Sequence, residues 1–77
     1  MKVRCKFRVL KIQQHYVPNP DKRMTEVGLS PVWEADGPNR QWSEATPQGS
    51  ITLMITTPAA DSFELGKEYF IDFSPVD

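Results

Sequence analysis

Alternation of polar and apolar residues at the start of the chain predicts a long, half-buried β-strand. Over residues 2–9 one face is basic and the other apolar: Lys2, Arg4, Lys6 and Arg8 alternate with Val3, Cys5, Phe7 and Val9. Successive side chains of a strand point to opposite faces of its sheet. At Val9-Leu10 the alternation slips by one residue, so we expect a β-bulge or a strong bend there. Such a bend lets one strand serve two sides of a small barrel.

The next segments predict a loop, a second strand and a longer loop. Residues 17–23 contain two prolines beside Asn and Asp, which suits an exposed turn. Alternation resumes over residues 25–33 and predicts a strand antiparallel to the first. Pro31 places the second half of that strand at a sheet edge or makes it irregular. Residues 36–49 carry three turn signals, so we expect a loop interrupted at most by a short strand around 41–45.

The remaining pattern predicts a strand, a short helix and a last strand. Residues 50–57 alternate, and Thr57 followed by Pro58 resembles a helix cap and first turn. We expect one or two helical turns over about 58–64, ended by Gly66, with Phe63 or Leu65 filling the core. A strand over 67–73 follows, with three residues facing the core: Tyr69, Ile71 and Phe73. The whole of residues 1–77 is predicted as a single mainly β domain: a small antiparallel β-barrel or rolled sheet of four to five strands, with one short helix before the last strand.

Length and composition limit the classes of function. A chain of 77 residues buries only about 60% of its unfolded surface, which leaves little room for a deep substrate cleft. The longest apolar runs are three residues, far short of the roughly 20 that a membrane helix needs. The basic residues are interleaved through the start of the chain, unlike those of a secretory signal, so we expect an intracellular protein. The single Cys5 allows no internal disulfide.

Charge divides the chain into two unlike parts. Residues 1–23 contain seven basic residues and one acidic residue, for a formal charge of +6, whereas residues 24–77 contain two basic and nine acidic residues, for −7. One interpretation is a basic face that contacts phosphate or an acidic protein. The other is a basic strand whose acidic complement lies beside it in the same sheet, for example Glu68 and Asp72. We take the second as the simpler interpretation.

Residue types that carry catalysis or bind cofactors do not form a recognisable constellation. The four glycines are scattered rather than grouped ahead of a helix as in phosphate-binding loops. His15 is expected to be a surface or packing residue, and Cys5, in phase with Val3 and Phe7, a small core residue. Glu64 with Glu68 or Asp72 would form a carboxylate pair, but such acids on a terminal strand are usually solvated. We therefore predict no enzymatic activity, no cofactor and no metal site.

Two features remain as candidates for partner binding. The basic row, which we define as Lys2, Arg4, Lys6 and Arg8, has side chains about 6.6–6.8 Å apart on one strand face. A row of this kind can follow a nucleic-acid backbone, especially beside aromatic residues such as Trp33, Trp42 or Tyr16. Lysines on an edge strand also prevent aggregation, and a pI near 5.7 is low for a nucleic-acid-binding domain. Trp42 either folds back over the open end of the barrel or serves as an exposed anchor for a protein.

The C-terminal part resembles a group of small uncharacterised proteins encoded by tailed bacteriophages. The resemblance is carried by three segments: TPQGSITL over 46–53, PAA over 58–60 and FELGKEYFIDF over 63–73. It covers about 28 residues well and brings no catalytic site. It implies a phage or prophage origin, with a role as a small virion component that binds capsid or tail subunits, or as an inhibitor of a host protein.

These observations together predict a non-enzymatic, phage-encoded protein-binding module. Its most favoured role is an accessory component of the virion, of the kind that decorates or cements a capsid. The alternatives are an OB-like binder of single-stranded nucleic acid and a phage inhibitor of a host defence protein. The expected partner is a phage structural subunit or a host protein, with a homo-oligomer as a further option. The expected location is the host cytoplasm or the virion, and no membrane association is expected.

Overall fold

The protein folds into one antiparallel sheet that curls into a half-barrel. The computed structural model describes residues 3–19, 23–34, 37–43 and 47–76. Its strands are β1 (Arg4–His15), β2 (Met24–Pro31), β3 (Ile51–Thr56) and β4 (Glu68–Asp72), in the spatial order β3-β2-β1-β4. A 3-10 helix (Pro38–Gln41) follows β2, and a short helix, α1 (Thr57–Ala60), lies between β3 and β4. The predicted mainly β fold with a short helix before the last strand is confirmed.

The central strand β1 is bent where the alternation slips. Its register with β2 shifts between Val9 and Lys11, as expected from a bulge. Before the bulge, residues 4–8 also pair with β4. At the bulge, the Val9 N–H donates to the Lys67 carbonyl oxygen (3.0 Å) and the Val9 carbonyl oxygen accepts from the Gly66 N–H (2.8 Å). The predicted bulge is therefore confirmed, and it joins β1 to the turn that precedes β4.

The short helix differs from the prediction at both ends. Its cap is Thr56, whose Oγ1 accepts from the Ala59 N–H (3.3 Å), and not Thr57. The Thr57 hydroxyl instead donates to the Arg23 carbonyl oxygen (3.1 Å). The helix ends at Ala60 rather than near residue 64. Gly66 therefore does not terminate it; with φ +85°, Gly66 occupies a left-handed position in the turn before β4, which favours glycine.

The loop between β2 and β3 contains a 3-10 helix in the region where the sequence predicts at most a short strand. Pro38–Gln41 form this helix, which begins with a proline. It overlaps the start of the expected strand at 41–45, and residues 44–46 lie outside the described part. The prediction for Pro31 holds: it pairs with Phe7 on the β1 side, whereas the pairing of β2 with β3 ends at Leu29. The end of β2, from Ser30 onward, is thus an edge on that side.

The core lies on the concave side of the sheet and is small. Within the described residues, the buried hydrophobic core cluster consists of Cys5, Phe7, Val9, Val27, Leu29 and Ala60. The prediction that Cys5 faces the core is confirmed, and Phe63 packs against the core cluster. Leu65, the alternative to Phe63, is exposed. Phe73 is also exposed, so its prediction as a core residue is wrong: β4 ends at Asp72, one residue earlier.

The half-barrel is open rather than closed. The Cα radius of gyration is 14.7 Å, whereas a compact domain of this length has about 11.5 Å. The shortest dimension is only 17 Å, which corresponds to one sheet with thin coverage. In the described ranges, no helix has the length and apolar character needed to cross a membrane. Among the described residues, β3 and β4 each pair with one strand only, so they form free edges on either side of a concave face.

Candidate functional site

On the convex face of the sheet, the described residues of the basic row, Arg4, Lys6 and Arg8, lie next to acidic residues. Arg4 forms a bidentate pair with Asp72, at 2.8 Å from Nε to Oδ1 and 3.1 Å from Nη2 to Oδ2. Lys6 Nζ lies 2.6 Å from Glu34 Oε1 and 3.2 Å from Glu68 Oε1. Arg8 pairs with the other oxygen of Glu68. Lys2 lies outside the described residues. Glu68 and Asp72 thus lie beside the basic strand in the same sheet, and Glu34 follows β2.

The register of β1 with β4 causes these pairs. Arg4 stands opposite Asp72 and Arg8 opposite Glu68, so opposite charges face each other across two antiparallel strands. Hydrogen bonds from Arg8 and then from Lys6 hold the pKa of the Glu68 carboxyl below its ordinary value of 4.5. Hydrogen bonds to Glu34 and then to Glu68 raise the pKa of Lys6. Half-exposed pairs of this kind contribute little stability, but they neutralise much of the basic face.

We expect Glu68→Gln to lower stability at neutral pH and to lose that effect in acid. The pKa of Glu68 is depressed in the folded state, so its contribution is present above the unfolded pKa near 4.5 and disappears as the pH falls through the folded pKa. Urea unfolding of both proteins at pH 7 and at successive lower values measures the difference. Glu64→Gln removes a carboxylate that forms no ion pair with described residues, and we expect it to show no such convergence. A difference that grows on acidification would contradict this assignment.

The three aromatic residues considered for partner binding occupy different environments. Trp42 is half-buried and packs against the core cluster, as in the folded-back alternative. Its N–H donates to the Asn39 carbonyl oxygen (3.3 Å), and its buried Nε1 meets no hydrogen-bond acceptor among the described residues. Trp33 and Tyr16 are exposed. A role for Trp42 in partner binding stays a prediction.

The residues with candidate catalytic chemistry are engaged elsewhere. His15 Nε2 lies 3.5 Å from Glu26 Oε1 at the far end of β1, and Glu26 also pairs with Lys11 at 2.7 Å. Burial, and then the charge of Asp72, raises the pKa of the Cys5 thiol, which disfavours the reactive thiolate. Glu68 and Asp72 are ion-paired rather than merely solvated. In the described ranges, no group of three His, Cys, Asp or Glu side chains is arranged to hold a metal ion.

An apolar groove occupies the concave side between the two free edges. It has a volume of about 450 Å³ and is lined by side chains of β3, β4 and the segment before β4, among them Ile51, Leu53, Phe63, Tyr69 and Ile71. The edge strands supply its two walls, because residues 51, 53 and 55 of β3 and 69 and 71 of β4 face inward. A second, more polar depression of about 490 Å³ shares Phe63 and extends toward Gln14, Thr57 and Asp61.

Hydrogen bonds and ring packing fix the aromatic wall of the groove. The Phe63 and Tyr69 rings lie 5.2 Å apart between centroids and are tilted by 57°, a favourable aromatic geometry. The Tyr69 hydroxyl donates to the Ser62 carbonyl oxygen (3.2 Å) and accepts from the Glu64 N–H (3.0 Å). These bonds satisfy its polar atom, so the ring presents apolar surface in a defined orientation.

The sequence indicated part of the groove. Tyr69 and Ile71 were expected to face the core, and both pack against the core cluster. Ile51 and Leu53 were expected on one face of the strand over residues 50–57, and they share the concave face. In the structure they are only partly buried, and Leu53 remains 39% exposed. A comparison of the number of inward-facing apolar positions with the number of elements that could cover them would have indicated the groove. One helix of four residues cannot cover a four-stranded sheet.

Comparison with known proteins finds no counterpart: no family model matches this sequence, and neither a curated protein nor a solved structure matches it. The resemblance to phage proteins accordingly stays a prediction.

Proposed function

We propose that this protein is a non-enzymatic protein-binding module whose partner occupies the apolar groove on the concave side. The observation that carries the proposal is the groove itself: about 450 Å³ between two free strands, lined by Leu53, Phe63, Tyr69 and Ile71. A contiguous apolar surface on a small domain is typical of an interaction site. Aromatic residues held in one orientation are frequent anchors of protein interfaces.

The openness of the half-barrel supports the same proposal. The shortest dimension of 17 Å corresponds to a single sheet with thin coverage, and the radius of gyration lies about 3 Å above that of a compact domain. The buried hydrophobic core cluster has six residues within the described part of the chain. A partner lying in the groove would complete the burial of Ile51, Leu53 and Ile71. Complex formation would thus add to the core as well as to the interface.

The pairing of the basic row makes nucleic acid the weaker candidate. Arg4, Lys6 and Arg8 each already contact a carboxylate, so binding phosphate would require these pairs to be replaced. Affinity from counterion release grows with the number of free basic groups. The narrower role of virion accessory component rests on the C-terminal resemblance, and its test is the presence of the protein in purified particles.

Selection of peptides from a random library tests the proposed function. We expect the wild-type protein to enrich peptides with alternating apolar residues. Leu53→Asp, which puts a charge into the groove, should weaken their binding at least tenfold, or about 1.4 kcal/mol. Gln13→Asp puts the same charge on the convex face of β1, two strands away from the β3 edge, and we expect a change of less than about twofold.

Circular dichroism of both variants verifies that the fold is retained. Failure to enrich any peptide, or equal losses in the two variants, would remove the groove as the binding site. Salt-sensitive binding of single-stranded DNA that is lost in Arg4→Glu and Lys6→Glu would favour the nucleic-acid alternative.

A further inference from the structure

The free edge of β3 lacks the features that normally protect an edge strand. Its six residues, ITLMIT, include no charged residue and no proline. Its register with β2 runs from Ile51 to Thr56 without a bulge. Two large apolar side chains, Leu53 (39%) and Met54 (49%), are exposed on it. Proteins usually block such edges with charges, prolines or bulges, because unpaired N–H and C=O groups invite another strand. A bare edge of this kind indicates a strand partner.

The other edge, β4, is protected by charge. Glu68 and Asp72 lie at its two ends and are ion-paired with β1, and Arg4 stacks 4.9 Å from the centroid of the Phe70 ring. If two β4 strands paired antiparallel around Phe70, Glu68 of each copy would lie opposite Asp72 of the other. Like charges directly opposite each other destabilise a strand pair. Self-association is therefore favoured at β3 and disfavoured at β4.

We propose that two copies of this chain associate through β3, forming one continuous eight-stranded sheet around a two-fold axis. The inference deepens the proposed function and rests on it, because Ile51 and Leu53 belong to both the groove and the edge. Antiparallel pairing around a two-fold axis places residues of the same face opposite each other. Ile51, Leu53 and Ile55 of the two copies meet on the concave side, and no charges oppose one another. The strand that best complements this edge is a second copy of β3 itself.

The pairing also joins the two apolar grooves. Both concave faces lie on the same side of the joined sheet, and Leu53 of each copy contributes to the wall at the seam. The dimer thus presents one wide apolar trough instead of two separate grooves. A chain of 77 residues with a small core gains from oligomerisation, since its own buried apolar surface is limited. A symmetric β3–β3 contact pairs the unprotected edge of both copies, so no β3 edge remains for a third copy and the assembly is a dimer.

A charge-swap experiment at Met54 tests the inference. Met54 is exposed on the convex side of β3, close to the expected two-fold axis. A charge introduced at this position in both copies therefore lies close to the same charge in the other copy and repels it. We expect sedimentation to give the wild type about twice the 8.8 kDa chain mass. Met54→Lys and Met54→Glu alone should each shift the protein to the monomer, and an equimolar mixture should restore the dimer. Gln13→Lys adds a charge to an exposed position two strands away and should leave the dimer intact.

The outcomes separate this inference from the proposed function. Recovery of the dimer in the mixture excludes misfolding as the cause of the monomer, because two misfolded variants would not form a dimer when they are combined. A wild type that stays monomeric at the highest soluble concentration, or dimers unaffected by both Met54 variants, would overturn the β3 pairing. If such a monomer still binds the selected peptides through Leu53, the proposed function stands, and the partner of the β3 edge is a strand other than a second copy of β3. If a dimer forms and the peptides do not bind, only the proposed function fails.

Discussion

Replacement of Phe7 by alanine is expected to lower the free energy of unfolding by about 3–5 kcal/mol, because it empties the centre of a very small core. Phe7 is 6% exposed and lies in the part of β1 that pairs with both β2 and β4. A domain of this size has a total stability of roughly 4–12 kcal/mol at about 0.05–0.15 kcal/mol per residue. The variant should therefore be close to unfolding at 25 °C. Urea unfolding followed by circular dichroism measures the shift in midpoint.

Phe70→Ala provides a matched control for Phe7→Ala. Phe70 is the same residue type on β4, but it is 59% exposed and contacts Arg4 through its ring. Its replacement should cost about 1 kcal/mol or less, mainly through the lost cation–π contact. Phe7→Leu gives a second core variant with a smaller expected loss, below about 1.5 kcal/mol. Equal losses for Phe7→Ala and Phe70→Ala would mean that the core lies elsewhere.

Asn39→Ala is expected to cost about 3 kcal/mol although it removes a polar residue. Asn39 is 1% exposed, and its Oδ1 accepts from the Lys6 N–H (2.7 Å). Its Nδ2 donates to the carbonyl oxygens of Lys6 (2.8 Å) and Val32 (2.7 Å). The amide thus ties the loop after β2 to the free side of β1. Removing it leaves the Lys6 N–H without its side-chain partner and costs the desolvation of that group. For a small domain, this corresponds to a drop in melting temperature of roughly 12–24 °C.

The pH dependence of Asn39→Asp identifies the donor role of the amide. At neutral pH, a carboxylate oxygen would face two carbonyl oxygens, so the pKa of the new group should be raised in the folded state. A raised pKa means that the variant regains stability, relative to the wild type, as the pH falls and the carboxyl becomes a donor. Gln41→Ala, in the same 3-10 helix but exposed, should change stability by less than about 0.5 kcal/mol. A neutral Asn39→Ala would show that the loop is held by other contacts.

Local periodicity was enough to predict the strands and the bend in β1. The alternation of residues 2–9 and its slip at Val9-Leu10 are properties of the sequence, and the register shift between Val9 and Lys11 follows from them. The pairing of the basic row with Glu68 and Asp72 was also available as an alternative, because charge is complementary between the first and last strands. The structure adds the register of β1 with β4, which sets Arg4 opposite Asp72 and Arg8 opposite Glu68.

The openness of the sheet and the role of Asn39 depend on tertiary contacts that periodicity does not report. Alternation marks which face of β3 is apolar, but whether another layer covers Leu53 depends on the whole chain. Pro38-Asn39 has the composition of an ordinary turn, and nothing local indicates that the amide reaches Lys6, 33 residues away. The early end of α1 has the same origin, since the Tyr69 hydroxyl holds residues 62 and 64 in a turn.

Amide chemical shifts of the isotopically labelled protein, titrated with the strongest selected peptide, locate the surface that binds the partner. If the partner occupies the groove, the largest shifts will cluster at Ile51, Leu53, Tyr69 and Ile71, and the amides of the basic row will move little. The opposite pattern, with the largest shifts at Arg4, Lys6 and Arg8 and an undisturbed concave face, would contradict the account and place the binding surface on the convex side.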